Sequence, residues 1–507
     1  MTLRDLVAAL ELRGLRPVAA RPSGQADALD RPVAGLAYDS RRASPGTVFI
    51  AIRGERFDGA AFAPEAIGRG AIAVVAEGPA VPGRAVPWVQ VSDGRLALAV
   101  LASAFFGDPS HELEVVGITG TNGKTTTSYL VRGILETSGT PCGLVGTVHY
   151  SVGGELFDAP RTTPEALDLQ QLFRRMVDSG ARACAMEVSS HALALSRVDS
   201  TRFAAAVFTN LTQDHLDFHG DMDRYYAAKR RLFTLLSAGA PAVVNLDDDH
   251  GRRLATELPT VITYGLHQPA DVTPFAVSHS LAGVSFEAIT PAGRMTVRSR
   301  LTGQFNLYNL LAATATGIAL GVPREAIAEG LAAVTAVPGR LQVVSEPSDD
   351  VTVIVDYAHT DDALRNVLEA VRPLATGRLV TVFGCGGDRD RSKRPKMGAV
   401  AARLSDAVIV TSDNPRSEDP DRIIDDIERG VSGAPGGPVA WVREADRRLA
   451  IERAVETARP ADVVVIAGKG HEQYQIVGAD TLPFDDVRAA RAALAGRRAR
   501  AAAETAR

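Results

Sequence analysis

Val116-Gly117-Ile118-Thr119-Gly120-Thr121-Asn122-Gly123-Lys124-Thr125-Thr126-Thr127 is the stretch of sequence that decides the fold. The apolar residues at 113–116 predict a buried strand, and residues 125–135 are typical of a helix. A glycine-rich turn between a strand and a helix directs several backbone N–H groups at one point, which suits a phosphate. Lys124 can reach the outer phosphates of a nucleotide, and the Thr125 hydroxyl can bind Mg²⁺. The sequence therefore predicts a nucleotide site.

The loop departs from the common phosphate-loop pattern G-x-x-x-x-G-K-[ST]. That pattern has glycine at the position of Ile118, whereas here the glycine is Gly120, inside the tighter sequence T-G-T-N-G-K-T. The strand–loop–helix context still predicts nucleotide binding. The altered spacing distinguishes this loop from that of general ATPases.

Chain length, net charge and cysteine content limit the kinds of protein that this sequence can encode. A chain of 507 residues predicts about three domains, and a net charge of −5 gives no general basic face for nucleic acid. The first residues lack the layout of a signal peptide, and no uncharged apolar run is long enough to span a membrane. Three cysteines far apart in the sequence are typical of a reducing compartment. We expect a cytoplasmic monomer without membrane insertion.

The order of apolar and polar segments predicts an α/β fold of three domains and a tail. Residues 1–107 form a small α/β domain with strands at 35–38, 47–52, 71–76 and 86–91 and helices at 63–69 and 96–106. Residues 108–337 form a central doubly wound sheet of the P-loop ATPase type, with further strands at 182–188, 204–209 and 242–245. Residues 338–495 form a Rossmann-like domain with strands at 351–356, 378–383, 407–411, 439–442 and 461–467. Residues 496–507 are a tail, and the Ala/Arg-rich segment 488–507 is expected to be a solvated helix.

Acidic and histidine side chains follow two strands of the predicted central sheet. Glu187 ends one strand, near the phosphate loop, where a carboxylate can bind Mg²⁺. A capping or surface glutamate fits this local sequence equally well. The loop 210–219 after the next strand contains Asp214, His215, Asp217 and His219, which favours a metal or phosphate role over a solvated turn.

Lysine is scarce in this chain, which has only Lys124, Lys229, Lys393, Lys396 and Lys469. Where arginine is the usual cation, a lysine is expected at positions that need its amine chemistry. Lys124 and Lys469 lie in glycine-rich loops. Lys229 lies in a predicted helix beside two arginines, and without its scarcity it would be an ordinary basic helix position.

Three polar loops follow strands of the predicted C-terminal sheet, at 384–390, 413–416 and 468–472. Because the carboxyl ends of parallel strands meet at one edge of a sheet, we expect these loops to form one site. They offer arginines for a carboxylate and acids for an ammonium, which together complement an amino acid. The alternative is three unrelated surface loops.

Together these loops resemble those of the Mur ligases, the ATP-dependent amino-acid ligases of peptidoglycan synthesis. The resemblance covers nearly the whole chain and rests on T-G-T-N-G-K-T-T-T, A-M-E-V-S-S-H, F-T-N-L-T-Q-D-H-L-D-F-H, D-Y-A-H-T, F-G-C-G-G-D-R-D, D-N-P-R and A-G-K-G-H-E. It implies ATP-dependent addition of meso-diaminopimelate to the D-Glu γ-carboxylate of UDP-MurNAc-L-Ala-D-Glu through an acyl phosphate.

Three alternatives remain open. The same type of ligase could add L-lysine or LL-diaminopimelate. A folylpolyglutamate synthase-like ligase shares the core design but should lack a sugar-nucleotide domain, and Asp39-Ser40-Arg41 argues against it. A nucleotide-dependent binding or regulatory protein without ligase activity is disfavoured by the joint presence of Glu187, His215 and Lys229.

The resemblance also implies roles for single residues. It gives ATP contacts to Gly120, Thr121, Asn122, Gly123, Lys124, Thr125, Thr126, Asn309, Arg340 and Asp356. It implies that Mg²⁺ is bound by Thr125, Glu187, His215 and a CO₂-derived carbamate on Lys229. It implies catalytic roles for Lys124, Glu187, His215 and Lys229. UDP-MurNAc-dipeptide contacts fall to Tyr38, Ser40, Arg41, Glu55, Arg56, Phe57, Thr162, Thr163, Ser189 and Arg197. Diaminopimelate contacts fall to Arg389, Asp413, Asn414, Pro415, Arg416, Gly468 and Glu472.

Two positions depart from the pattern of the family. Arg161 precedes Thr162 and Thr163 where some relatives have asparagine, and Leu195 occupies a position where some have glutamine. Both departures fall in the part of the sequence that is expected to hold the sugar-peptide substrate.

Overall fold

The computed structural model describes residues 1–20, 26–54, 57–79, 86–433 and 440–505. Strands alternate with helices through most of these residues, which confirms the predicted α/β class. The chain divides into two compact units. The first comprises Met1–Thr273, Ile289–Arg294 and Asn309–Gly330, and the second comprises Pro274–Ala288, Met295–Tyr308 and Leu331–Arg507. Among the described residues, no helix combines the length and the apolar character needed to cross a bilayer.

The N-terminal sheet has five short strands in the order β1-β5-β4-β3-β2. Its strands are β1 Val18–Ala20, β2 Gly35–Ala37, β3 Thr47–Ala51, β4 Ala73–Ala76 and β5 Trp88–Gln90, and its helices are α1 Leu3–Leu12, α2 Ala63–Gly68 and α3 Gly94–Phe105. Strands β2 to β5 are parallel, and β1 pairs antiparallel with β5. The four predicted strands and both predicted helices are confirmed. The sequence did not predict β1 or α1.

The central sheet has eight strands in the order β13-β12-β11-β6-β10-β7-β8-β9. They are β6 Glu114–Thr119, β7 Cys142–Val145, β8 His149–Val152, β9 Glu155–Asp158, β10 Ala183–Glu187, β11 Phe203–Phe208, β12 Ala242–Asn245 and β13 Val261–Tyr264. The helices are α4 Lys124–Thr137, α5 Ala166–Asp178, α6 Ser190–Ala194, α7 Leu216–His219, α8 Met222–Arg230 and α9 Asp249–Glu257. Parallel β6 lies between β10 and β11. The glycine-rich loop after β6 therefore lies between the carboxyl ends of both neighbours, where open α/β sheets bind ligands.

A three-stranded sheet separates the two larger sheets in the sequence. It consists of β14 Thr273–Ser280, β15 Gly283–Thr290 and β16 Gly293–Ser299, and two helices follow, α10 Gln304–Ala319 and α11 Arg324–Ala333. The side chains of β14 are mostly exposed. The sequence did not predict these strands, because polar residues interrupt their apolar residues and none has the dense apolar run of a buried parallel strand.

The C-terminal sheet has six strands in the order β17-β18-β22-β19-β20-β21. They are β17 Gln342–Val343, β18 Thr352–Asp356, β19 Leu379–Phe383, β20 Ala407–Val410, β21 Ala440–Arg443 and β22 Val463–Ala467. The remaining elements are α12 Asp361–Val371, α13 Lys393–Leu404, α14 Pro420–Ser432, α15 Arg447–Thr457, the hairpin strands β23 Tyr474–Val477 and β24 Asp480–Pro483, and α16 Asp486–Thr505. All five predicted strands are present, and they are parallel. The last strand of this sheet in sequence order, β22, lies between β18 and β19, so the three predicted loops share one edge of the sheet.

The prediction of a solvated last helix is wrong for its first half. Helix α16 begins at Asp486, whose carboxylate accepts two hydrogen bonds from Arg447 at 2.7 Å, with both side chains fully buried. Small side chains then pack in the core, at Ala489, Ala490, Ala493 and Leu494. An Ala/Arg-rich sequence lacks a strong apolar stripe, but alanines allow the close approach of a helix to a sheet. The buried ion pair fixes where the helix begins.

Candidate active site

The glycine-rich loop is held by the loop that follows β11. The backbone N–H groups of Thr121 and Asn122 donate to the carbonyl and the side-chain oxygen of Asn210, both at 2.9 Å. In return the Thr209 hydroxyl donates to the Asn122 carbonyl at 2.6 Å. These contacts orient the turn before any ligand binds. The predicted residues 120–126 thus lie in one preorganised loop between β6 and α4.

Two glycines are required by this packing. A Cβ on Gly120 would lie 1.8 Å from the Thr209 hydroxyl oxygen, so no side chain fits there. Gly123, the residue that caps α4, has φ +87°, and a Cβ would lie 2.5 Å from Asn309 Oδ1. Because L-residues with a side chain rarely adopt this φ, glycine preserves a helix N-terminus that backbone groups can present to a phosphate.

Two lysines meet at one carbonyl of this loop. Lys124 Nζ donates to the carbonyls of Gly120 and Thr121, each at 2.8 Å, and Lys229 Nζ donates to the Gly120 carbonyl at 2.7 Å. Lys229 is 1% exposed. Burial, and to a lesser extent the charge of Lys124, lowers the pKa of Lys229 well below its ordinary value. The structure therefore places a buried lysine with a lowered pKa directly against the Gly120 carbonyl of the glycine-rich loop.

Glu187 lies at the end of β10 and is 1% exposed. Its carboxylate accepts a hydrogen bond from the Thr147 N–H at 2.7 Å and from the Thr147 hydroxyl at 3.0 Å. A Cβ on Gly146 would lie 2.4 Å from Glu187 Oε1, so glycine leaves the space that this carboxylate occupies. The carboxylate is held in place without a cationic side chain among these contacts, and it keeps lone pairs for a further ligand.

The oxygen donors around the loop suit Mg²⁺. Glu187 supplies a carboxylate, and Thr125 supplies a hydroxyl at the first turn of α4. Among the described residues, no group of three or more His, Cys, Asp or Glu side chains is arranged to hold a metal. Mg²⁺ usually takes one or two protein ligands and fills its other positions with phosphates and water, so this sparse set of donors is compatible with it.

His215 differs from the other predicted metal ligands. It adopts φ +51°, about half of its side chain is exposed, and its N–H donates to Asp214 Oδ1 at 2.8 Å. Its ring lies edge-on to His191, with 4.9 Å between the ring centres. His219, from the same loop, is buried, and its Nε2 is 2.9 Å from the Ser190 hydroxyl. Burial lowers the pKa of His219 to about 4, which keeps this ring neutral.

The other three residues predicted to contact ATP, one for adenine and two for phosphate and ribose, lie in different surroundings. Asn309 is buried beside Gly123 in the first unit, and its Oδ1 is 3.5 Å from the Thr127 hydroxyl. In the second unit, the Asp356 carboxylate accepts from the N–H groups of Leu341 and Ala358 at 2.7 and 2.8 Å. Burial raises the pKa of Asp356, and the Arg340 guanidinium opposes this effect. Arg340 itself lies over the ring of Tyr357.

Of the described residues predicted to hold the UDP part, Tyr38, Ser40 and Arg41 follow β2, and Phe57 follows β3. The Tyr38 hydroxyl donates to Asp168 at 2.6 Å, and the Ser40 hydroxyl donates to Glu65 at 2.7 Å. The exposed Arg41 pairs with Asp39. Phe57 is exposed. Glu55 and Arg56 lie outside the described residues.

The residues predicted for the muramoyl-dipeptide part are linked to Glu187. The Thr162 and Thr147 hydroxyls are 3.0 Å apart, and the Thr163 hydroxyl donates to the Glu187 carbonyl at 2.8 Å. The Ser189 N–H donates to the Thr163 hydroxyl at 3.1 Å. Arg197 Nη1 donates to the Thr163 carbonyl at 3.1 Å. These four predicted residues therefore form one connected group beside the candidate metal ligand.

The three C-terminal loops come together as predicted. Asn414 Nδ2 donates to Glu472 at 2.9 Å, and the Gly387 N–H donates to the Asn414 carbonyl at 2.9 Å. A Cβ on Gly468 would lie 2.7 Å from Asp413 Oδ2. The side chains of Asp413 and Asn414 and the neighbouring Pro415 are buried. The edge of the sheet thus holds two carboxylates and an amide in fixed positions.

Two arginines flank the same edge. Arg416 Nη1 donates to the Gly387 carbonyl at 2.8 Å, and its backbone adopts φ +52°. A Cβ on Gly386 would lie 2.9 Å from Arg416 Nη1 and 3.6 Å from Arg389 Cγ. The exposed Arg389 and the half-buried Arg416 therefore approach one glycine, which leaves room for both side chains.

Sequence reasoning gave no role to two residues that hold these groups in place. Lys469 is completely buried, and its Nζ donates to Asn414 Oδ1 at 3.0 Å and to Glu472 Oε2 at 3.1 Å. Its position between two glycines and its rarity were the available signals. Thr147 holds the Glu187 carboxylate in place. The available signal was its position, as a small polar residue shortly after strand β7, which the sequence did not predict.

Known proteins resemble this chain along most of its length. Residues 32–106 match the family model described as Mur ligase family, catalytic domain, residues 118–317 match the Mur ligase middle domain, and residues 339–470 match the Mur ligase, glutamate ligase domain. A protein of Solibacter usitatus named UDP-N-acetylmuramoyl-L-alanyl-D-glutamate--2,6-diaminopimelate ligase is 50% identical over 92% of this chain and 94% of its own.

Solved structures agree with these matches. A structure of a UDP-N-acetylmuramoyl-L-alanyl-D-glutamate--2,6-diaminopimelate ligase is 36% identical, has a TM-score of 0.70 and covers 93% of this chain and 96% of its own. The folylpolyglutamate synthase of Mycobacterium tuberculosis is 18% identical, has a TM-score of 0.60 and covers 78% of this chain and 94% of its own. The latter likeness concerns the fold alone.

Proposed function

This chain belongs to the Mur ligase family, and we propose that it is the member that adds meso-diaminopimelate to UDP-MurNAc-L-Ala-D-Glu with hydrolysis of ATP to ADP. The observation that carries the choice of amino acid is the convergence of Asp413, Glu472, Arg389 and Arg416 at one edge of the C-terminal sheet. Two acids and two arginines complement a molecule with ammonium groups and two carboxylates.

The glycine-rich loop binds the phosphates of ATP in this proposal. Residues 120–126 and the N-terminus of α4 bind the polyanion, and Lys124 turns from its own loop carbonyls to the outer phosphates. Thr125 and Glu187 hold Mg²⁺, which when bound offsets the negative charge between the phosphates and the acceptor carboxylate. Asn309 contacts adenine, and Arg340 and Asp356 contact phosphate and ribose.

The acceptor is activated by phosphoryl transfer. An oxygen of the D-Glu side-chain carboxylate attacks the γ-phosphorus, the bond to the β,γ-bridging oxygen breaks, and ADP leaves. Thr162, Thr163, Ser189 and Arg197 position the muramoyl-dipeptide for this step, while Tyr38, Ser40, Arg41 and the segment 55–57 hold the UDP part. The work of these residues is to align two anions and to offset their repulsion.

The amino acid then completes the amide bond. The neutral amine of diaminopimelate attacks the acyl carbon, the bond from that carbon to the phosphate oxygen breaks, and inorganic phosphate leaves with loss of a proton from nitrogen. Asp413, Asn414, Glu472 and the backbone at Gly468 and Pro415 orient the amino acid. Its far carboxylate pairs with Arg416 and Arg389.

Lys229 carries a CO₂-derived carbamate in this proposal. A neutral amine attacks CO₂, a C–N bond forms and a proton is released, and an arginine cannot do this because its guanidinium stays protonated. The burial of Lys229 and its lowered pKa support this chemistry. The product is a buried carboxylate beside Lys124, which suits a second Mg²⁺. His215 is the remaining proposed metal ligand.

We also propose the wider setting of the enzyme. Domains at 1–107, 108–337 and 338–495 contain the three larger sheets, with the sugar-nucleotide, ATP and amino-acid sites respectively. Substrates that are nucleotides and amino acids place the reaction in the cytoplasm, where three free buried cysteines are expected. We propose a monomer.

Removing the Arg416 guanidinium tests the amino-acid assignment. Lysine lacks the far carboxylate of diaminopimelate, so a site built around that carboxylate can reject lysine by roughly 10⁴-fold. We expect Arg416→Ala to raise the KM for diaminopimelate by about 100-fold or more, because a charge-assisted pair is lost, and to leave the KM for ATP unchanged. Arg422→Ala, which removes an arginine from α14, is the control. Equal increases in both Michaelis constants would overturn this assignment.

A further inference from the structure

A two-stranded hairpin lies beside the loop 413–416 of the candidate amino-acid site. Its strands, β23 Tyr474–Val477 and β24 Asp480–Pro483, form a sheet of their own, separate from the six-stranded C-terminal sheet. Gly478, with φ +61°, begins the turn between them. A hairpin of two strands is marginally stable by itself, so this one depends on contacts with the rest of its unit.

The outer edge of β23 makes such contacts with the loop. The Ile476 N–H donates to Asn414 Oδ1 at 3.0 Å, and the Ile476 carbonyl accepts from the Arg416 N–H at 3.0 Å. The Gly478 N–H donates to the Arg416 carbonyl at 2.7 Å, so Val477 and Arg416 form a parallel bridge. Both backbone polar groups of Arg416 are therefore paired with the hairpin.

Gln475 adds a side-chain contact to the same loop. Its Nε2 donates to the Asp413 carbonyl at 2.7 Å, and its side chain is half-buried. A cavity of about 340 Å³ opens beside this contact, with Gln475, Pro415 and Val477 in its wall. Because the loop is not packed solidly on this side, its position there depends on the hydrogen bonds from the hairpin.

The hairpin also meets Lys469. Asn414 Oδ1, which accepts from Ile476, accepts from Lys469 Nζ at 3.0 Å as well. The centre of the Tyr474 ring lies 5.6 Å from the same ammonium. An amide oxygen has two lone pairs, and both are used here. The hairpin and the glycine-rich loop at 468–472 thus fix one side chain of the amino-acid site together.

These contacts matter most for Arg416, because its backbone is strained. A φ of +52° is sparsely populated by residues with a side chain and persists only where the surrounding structure enforces it. The two backbone hydrogen bonds to the hairpin oppose a return to the right-handed region. They thereby set the direction of the side chain, whose Nη1 donates to the Gly387 carbonyl at 2.8 Å.

We propose that the hairpin is a positioning element of the amino-acid site and that Gln475 is a positioning residue for Arg416. The inference rests on the proposed function, in which Arg416 pairs with the far carboxylate of diaminopimelate. Gln475 does not touch the amino acid in this account, and it acts through the backbone at 413–416. An arginine–carboxylate pair depends on the direction of the guanidinium plane, so a small displacement of the loop weakens it.

Replacing Gln475 with methionine removes the donor and keeps the volume of the side chain. We expect Gln475→Met to raise the KM for diaminopimelate about tenfold, through loss of one hydrogen bond, and to leave kcat and the KM for ATP unchanged. Gln473→Met, the same change at an exposed glutamine two residues earlier, is the matched control and should behave as the wild type. Gln475→Lys, which returns a flexible donor, should recover part of the loss.

A double-mutant cycle with Arg416→Ala separates positioning from a general loss of structure. If Gln475 acts through Arg416, Gln475→Met lowers kcat/KM for diaminopimelate about tenfold in the wild type but less than about twofold in the Arg416→Ala background. Thermal denaturation establishes that each variant is folded. If Gln475→Met does not fold, Gln475→Asn takes its place, because its shorter side chain keeps the amide but does not reach the Asp413 carbonyl.

The outcomes distinguish this inference from the function on which it rests. An equal loss in both backgrounds, or a parallel rise in the KM for ATP, would overturn the positioning role of Gln475 and leave the proposed function intact. A wild type that releases no phosphate in the presence of diaminopimelate would overturn both.

Discussion

Single lysines occupy positions where an arginine would not serve. Five of the 55 Lys and Arg residues are lysine, and three of them lie at loops with proposed ligands. Lys124 and Lys229 meet at the Gly120 carbonyl, and Lys469 lies between Asn414 and Glu472. Lysine differs from arginine in that it has a compact ammonium on a flexible stem and that its pKa shifts readily on burial. The scarcity of lysine pointed to these positions. The sequence could not reveal that Lys469 joins two loops, because Asn414 is 55 residues away from it and Glu472 is 3 residues away.

Replacing Lys229 tests the carbamate. We expect Lys229→Ala to reduce kcat by at least 100-fold, since the buried carboxylate and its metal would be lost. Addition of a short carboxylic acid such as formate or acetate should restore part of the activity, because it can enter the space left by the side chain. The control is the same acid added to the wild type. An Ala variant that no acid rescues would contradict the carbamate but leave the ligase assignment intact.

Replacing Lys469 tests whether a buried ammonium positions the amino-acid site. Lys469→Met keeps most of the volume but leaves Glu472 without its cation, so we expect the KM for diaminopimelate to rise about tenfold while the KM for ATP is unchanged. The matched control is Lys396→Met, which alters an exposed lysine of α13. Steady-state kinetics with each substrate varied in turn provide the measurement. Equal changes in both constants would indicate a structural role only.

Buried parallel strands were the predictable elements, and exposed strands were not. Strands β6, β10, β11 and β12 have dense apolar runs, and the sequence predicted them close to their observed limits. Strand β9 is largely exposed, so its sequence resembles that of a loop. Helix α16 was expected to be solvated for a similar reason. Its buried side chains are mostly alanines, and its first residue is an aspartate paired with α15, so its sequence shows no apolar stripe. Whether such an element forms and which of its side chains are buried depend on the residues that it packs against, and the sequence does not identify those residues.

Glu418 tests how helix α13 is attached to the amino-acid loops. Its carboxylate accepts from Arg394 of α13 at 2.8 Å and from the Asp388 N–H at 2.7 Å, and Arg394 is 1% exposed. These contacts, led by the Arg394 hydrogen bond, lower the pKa of Glu418 from 4.5 to about 2. We expect Glu418→Gln to reduce the free energy of unfolding at pH 7 by about 2 kcal/mol, because one partner of a buried arginine loses its charge.

The pH dependence has a defined direction. A carboxylate whose pKa is lower in the folded state contributes its full stability above pH 4.5 and loses it as the pH falls toward 2. The difference in unfolding free energy between wild type and Glu418→Gln should therefore shrink between pH 4.5 and pH 2. Urea denaturation at several pH values measures it. A difference that stays constant over this range would contradict the ion-pair account.

At the scale of the whole molecule, the candidate sites are built from residues far apart in the sequence. The glycine-rich loop depends on residues 209–210 and 229, and the C-terminal site draws on three loops that span more than 80 residues. The order of strands explains this, since β6 and β22 each lie between neighbours that come from other parts of the sequence. Motifs at strand ends made the loops predictable. The contacts of Arg95 and Arg161 with the buried Glu165 were not predictable, because neither arginine lies in a motif that indicates this shared partner.

The most direct test of the central claim is release of inorganic phosphate from ATP with each component omitted in turn. The complete mixture contains the enzyme, Mg²⁺, ATP, UDP-MurNAc-L-Ala-D-Glu and meso-diaminopimelate. We predict that sustained release requires every component, that one tripeptide product forms per phosphate, and that lysine supports a rate lower by roughly 10⁴-fold. Release that continues at the same rate without the amino acid would contradict the account.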